Sequence, residues 1–184
     1  MKKGTNNISG QNPQSISTQN YSNTTKLVLG SLLAGIAAIL QAAGFFTGIG
    51  YAFSMLTTLP IVLASMLSLR IGFMSYVITV FLLAIIQPSE LLVFPFTTGL
   101  FGISMGGAFK LWKSWISITF AGGIGLSIGI MFLLYVLRFP VLGPTISSIF
   151  NFKTSIIIFL FSLFYSLIWM GLSKRVFVIL SRYL

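Results

Sequence analysis

The stretch LLAGIAAILQAAG, residues 32–44, is built from small and aliphatic side chains and is broken by a single amide, Gln41. Extended to residues 27–46 it reaches the length that crosses a bilayer as a helix. Comparable apolar runs follow at 51–69, 71–86, 91–109, 115–137 and 154–172. With 56% hydrophobic and only 7% charged residues in 184, the chain is better solvated by hydrocarbon than by water. These runs predict an all-α integral membrane protein with six transmembrane helices, occupying residues 26–173. Residues 1–25 are rich in Asn, Gln, Ser and Thr, lack apolar periodicity and predict a disordered polar tail. A cleaved signal peptide ending near LQAAG is the competing reading; the apolar run is too long for it and the polar leader too extended.

The formal charge of +10 is an orientation signal. If the amino terminus is cytoplasmic, nine of the eleven cations fall inside: Lys2, Lys3, Lys26, Arg70, Lys110, Lys113, Lys174, Arg175 and Arg182. Only Arg138 and Lys153, in the loop 138–153, fall outside, so both termini are expected in the cytoplasm of a cell membrane. Nucleic acid needs no invoking. Residues 174–184 mix cations with large apolar groups, as a tail lying on anionic lipid would. Pro60 and Pro95 fall inside the second and fourth runs, where each removes a backbone hydrogen bond and predicts a kink.

There is no Cys or His, and Glu90 is the sole acid. One subunit therefore cannot assemble paired carboxylates, a Ser-His-Asp arrangement or a His/carboxylate metal site, and no enzymatic activity, metal or cofactor is expected. The segment AGGIGLSIG (121–129) lacks the Lys-Ser/Thr ending of a phosphate loop and lies within a span.

The uncommon polar groups gather at the outer ends of the spans: Gln41, Gln87, Glu90, Arg138, Asn151 and Lys153. An unpaired amide in hydrocarbon is costly, so Gln41 should face the bundle, where it either ties two helices together or binds a ligand. Glu90, in PSELLVFP, complements a helix N-terminal dipole, pairs with Arg138 or Lys153, or receives a cationic group of a solute. Phe45, Phe46, Tyr51, Phe94, Phe96, Tyr135 and Phe139 lie at the same level, as an interface belt or a stacking pocket for a planar solute. The loop RFPVLGPTISSIFNFK is apolar for a solvated connector and reads equally as a lid or an interfacial segment.

Small residues supply the other signal. Gly30, Ala34, Ala38 and Ala42 recur every fourth position and form one flat stripe for close helix packing, inside the chain or on a partner. Gly102 with Gly106, and Gly125 with Gly129, make similar notches.

Six spans in about 180 residues, termini inside and the motif Ala34-x-x-x-Ala38 resemble the substrate-binding S components of energy-coupling factor transporters, the bacterial vitamin-uptake systems. LPIVLASMLSLRIGFMSYV (59–77) and FPFTTGLFGISMGGAFK (94–110) carry the same likeness, which spans about residues 27–172 and extends to related bacterial membrane proteins. The resemblance implies that Ala34 and Ala38 dock on a transmembrane scaffold subunit driven by two cytoplasmic ATPases, whose motifs reside in other chains. It also implies a small vitamin-like solute near the outer surface, held by the polar and aromatic residues just named, with contacts from helices four to six. Tryptophan occurs only toward the inner side, at Trp112, Trp115 and Trp169, and no residue pattern specifies one vitamin. The alternative is a non-transport multi-pass protein, an assembly, immunity or sensing factor that acts through helix association. A proton-coupled carrier is disfavoured by the single acid.

Overall fold

The computed structural model describes residues 22–45, 49–139, 141 and 149–183, and among these every secondary-structure element is a helix. Ser22 caps the first helix, α1 (Asn23–Ala42), by accepting the Thr25 amide hydrogen on its hydroxyl at 3.1 Å. The last residues of the expected tail, Asn23 to Thr25, are thus helical, and the rest of that tail lies outside the described residues. A short 3-10 turn, Ala43–Phe45, follows, and then α2 (Ile49–Leu56) and α3 (Thr58–Leu67). Next come α4 (Leu69–Ile86), α5 (Glu90–Phe94), a π-helical segment (Pro95–Gly99) and α6 (Leu100–Leu111). The chain closes with α7 (Trp115–Met131), a second π segment (Phe132–Val136) and α8 (Phe152–Tyr183).

Five of the resulting stretches are long and apolar enough to cross a membrane: 23–42, 69–86, 90–111, 115–136 and 152–179. The remaining apolar helix, Ala52–Leu67, is shorter and breaks at Thr57. Pro60 has no N–H to give to the Leu56 carbonyl, so the disruption falls one turn before the proline itself. The run at 71–86 gains Leu69 and Arg70 and makes 18 residues of helix.

Burial explains why the short helix is tolerated. Along α3, Pro60 to Leu67 are all buried, so it presents apolar groups all round and sits at the centre of the bundle, against α1, α4, α6 and α8. Its Ile61 and Ser65 fit notches where neighbours lack side chains. A Cβ on Gly102 would stand 2.8 Å from Ile61 Cβ, and one on Gly72 2.6 Å from Ser65 Cα. The larger core joins α3, α6, α7 and α8 through Leu63, Met66, Phe101, Met105, Leu126 and Trp169. A smaller one joins Ala37, Ile61, Leu83 and Phe94.

The stripe on α1 is used within the chain. Gly30, Ala34 and Ala38 are buried, and Ala42 is half-buried. Ser75 of α4 donates to the Gly30 carbonyl at 2.8 Å, and Thr79 donates to the Ala34 carbonyl at 3.2 Å. The face that the family likeness assigns to a scaffold is therefore covered here by α4. Of the basic segment expected as an interfacial tail, residues 174–183 are helical. They continue α8, and Phe177 is buried in the larger core. The side chains from Leu180 onward lie outside the described residues.

Candidate functional site

Gln41, in the last turn of α1, has no exposed surface. Its Nε2 donates to Glu90 Oε2 at 2.8 Å, and its Oε1 accepts from the Thr98 hydroxyl at 3.0 Å. Both ends of the amide are used, which offsets the cost of placing it among apolar helices. Glu90 opens α5 in its first turn, where the helix dipole favours a carboxylate. Among the described residues neither Arg138 nor Lys153 forms an ion pair with it.

Thr98 belongs to the first π segment, and Pro95 begins that segment. The proline cannot donate to the Leu91 carbonyl, and the helix widens there instead of continuing with regular bonds. Thr97 compensates locally by donating its hydroxyl to the Val93 carbonyl at 2.7 Å. Phe94 is fully buried in the smaller core and stacks on Tyr76, with ring centroids 5.7 Å apart.

A second polar group forms where α7 meets α8. The Tyr135 hydroxyl lies 3.1 Å from Ser155 Oγ and 3.4 Å from the Asn151 carbonyl, with its ring 5.3 Å from that of Phe150. Asn151 caps α8: its Oδ1 accepts the Lys153 amide hydrogen at 3.0 Å. Tyr135 stands in the second π segment, whose width is marked by the Leu137 amide bonding the Phe132 carbonyl at 3.1 Å, five residues back. Arg138 follows, exposed and at φ 53°, the left-handed region that an L side chain rarely adopts.

The two π segments touch. Phe96 and Phe132 stack with centroids 4.8 Å apart, and Gly129 lies so close to the Phe96 carbonyl that a Cβ would collide with it. The structure thus brings Gln41, Glu90 and Thr98 into one cluster, and Tyr135 and Asn151 into another, on segments that pack together. The Gln87 side chain joins neither cluster and donates to the Ser89 hydroxyl at 2.8 Å, while its carbonyl accepts the Glu90 amide hydrogen at 3.0 Å. Tyr51 is in α2, with its side chain outside the described residues, as are the side chains of Phe45 and Phe46. Phe139 is half-buried, and Val141 packs on the larger core; residues 142–148 of the expected lid lie outside the described residues.

Sequence reasoning missed Thr98, an ordinary threonine whose role depends on the register between α1 and the π segment. It also missed Tyr165 of α8, which lies 3.4 Å from the Thr58 hydroxyl and donates to the Met55 carbonyl at 3.4 Å, beside the break in the central helix. Only a lone tyrosine in an apolar run signalled it. The Tyr165 ring also contacts Phe101, Phe161 and Trp169.

Fold and site together define the class: among the described residues, a helical protein with several membrane-length apolar helices and a small, partly buried polar cluster at one end of the bundle. The chain matches no family model, no curated protein and no solved structure.

Proposed function

We propose that this chain is the membrane-embedded solute-binding subunit of an ATP-driven uptake transporter of the energy-coupling factor type. It takes a small vitamin-like molecule at the outer end of the bundle, with both termini in the cytoplasm. The observation that carries the reading is the pair of contacting π segments beside the chain's only acid. Irregular helical backbone inside a membrane is tolerated where it is packed in protein or lines a cavity, and single π turns recur at functional sites. Glu90, Tyr135, Arg138 and Asn151 supply the polar contacts in this reading, and Gln41 and Thr98 position Glu90. A solute drives reorientation only if it binds one state better than the other.

Energy comes from a scaffold subunit and two ATPases in other chains. Because Ala34 lies against α4 and Ala38 is buried in the bundle, the scaffold in this reading meets the opposite face of α1, where Leu32, Ile36 and Ile39 are exposed and a Cβ on Gly35 has open space. The test is affinity purification from native membranes, with identification of bound small molecules and partner chains, for the parent and for Gly35→Leu and Ala38→Leu. Recovery of a solute with a scaffold and ATPases supports the reading. Gly35→Leu should lose the partners and keep the fold, whereas Ala38→Leu should lower the melting temperature of the isolated chain. Purification with neither solute nor ATPase would overturn the transporter reading in favour of an association-only membrane protein.

A further inference from the structure

A groove of about 240 Å³ runs between α1 and α4 at the end away from Glu90. Its floor lies where the two helices meet at Gly30 and Ser75, whose hydroxyl donates to the Gly30 carbonyl. Leu27 and Val28 form one wall, Met74 and Ile78 the other, and all four are exposed on the outside of the bundle. A trough with this lining, opening outward between two membrane-length helices, has the shape and chemistry for an acyl chain.

The mouth of the groove is charged. Lys26 precedes Leu27 on α1, and Arg70 precedes Ile71 on α4, so both stand beside the lining residues at the same end. The chain offers these cations no carboxylate side chain: its one acid, Glu90, is bonded to Gln41 at the far end of α1. An apolar trough ending in uncompensated positive charge is complementary to one kind of amphiphile.

We infer that this groove is a binding site for an anionic phospholipid, with the headgroup phosphate at Lys26 and Arg70 and an acyl chain between α1 and α4. The inference is independent of the transport reading and needs only that the helices stand in a bilayer. Each cation near a lipid surface is worth about fivefold in affinity, so the pair gives a preference of roughly twenty-five-fold for an anionic over a zwitterionic headgroup.

The full-length protein, reconstituted in nanodiscs with equal phosphatidylglycerol and phosphatidylcholine, is released into the gas phase and its retained lipids are counted by native mass spectrometry. Phosphatidylglycerol should dominate in the parent. The preference should vanish in Lys26→Gln/Arg70→Gln and fall about fivefold in Lys26→Gln alone, which covers any misfolding of the double variant. Lys174→Gln/Arg175→Gln should keep it, and Val28→Trp, which fills the trough, should reduce retention of both lipids. Equal retention in the parent, or an unchanged preference in Lys26→Gln, would overturn the inference. So would a photo-crosslinker at Met74 that captures a second copy or another protein in place of lipid.

Discussion

At the scale of single residues, Gln41 makes the clearest demand on its surroundings. An amide within an apolar helix has to be paired, and that requirement is visible in the sequence; its partners are not. They are contributed by Glu90 and Thr98, about fifty residues away along the chain, and depend on a helix register that no local pattern encodes. Replacing Gln41 by Leu would leave the Thr98 hydroxyl without its acceptor and the Glu90 carboxylate without its donor. The expected loss is about 1–3 kcal/mol, read as a lower melting temperature in detergent. An unchanged melting curve would mean that water or another group already serves those two side chains. Glu90 itself was legible as a first-turn helix residue, because Pro88 and Ser89 precede it and an apolar run follows. Its bond to Gln41 was not, since the cations Arg138 and Lys153 were the more obvious partners for a lone acid.

At the scale of elements, apolar run length located most helix ends to within a few residues and failed at the break in the central helix and at the end of α8. Pro60 marks a disturbance, and the break appears at Thr57 because the carbonyl deprived of its donor lies four residues earlier. The basic stretch after Ser173 suggested a boundary, yet Lys and Arg are good helix formers and Phe177 reaches the core, so α8 runs on for 32 residues. The π segments were not legible at all. Pro95 announced an irregularity without its type, and nothing in FLLYV (132–136) distinguishes it from regular helix. Their contact with each other is directly testable through Gly129. Adding one methyl group as Gly129→Ala would push α7 away from the Phe96 carbonyl and is expected to cost about 1–3 kcal/mol, the usual scale of overpacking. The same exchange at Gly35, where a Cβ meets nothing, should leave the melting temperature unchanged or slightly raised. If the two variants melt alike, the close approach at Gly129 is absent in solution.

At the scale of the whole molecule, the distribution of charge predicts how the bundle sits in its bilayer. Native cysteine is absent, so single substitutions report side without background. Ser114→Cys, in the turn between α6 and α7, should react with an impermeant maleimide only after the cells are opened. Ser89→Cys, in the turn between α4 and α5, should react on intact cells. The reverse pattern would invert the topology, and equal labelling of both would refute a fixed orientation. The central position of α3 has a further consequence, for how the protein is made. Even taken together with the end of α2, the apolar stretch Ala52–Leu67 would reach only about 24 Å as helix, against roughly 30 Å of hydrocarbon, and it carries the hydroxyls of Thr57, Thr58 and Ser65. As a newly synthesised segment leaving the insertion machinery alone, it would be a poor solute in lipid. Its partners α4 and α6 are synthesised after it, so in a bilayer stable integration of α3 is expected to wait for them, and biogenesis to be cooperative from α1 through α6 rather than helix by helix.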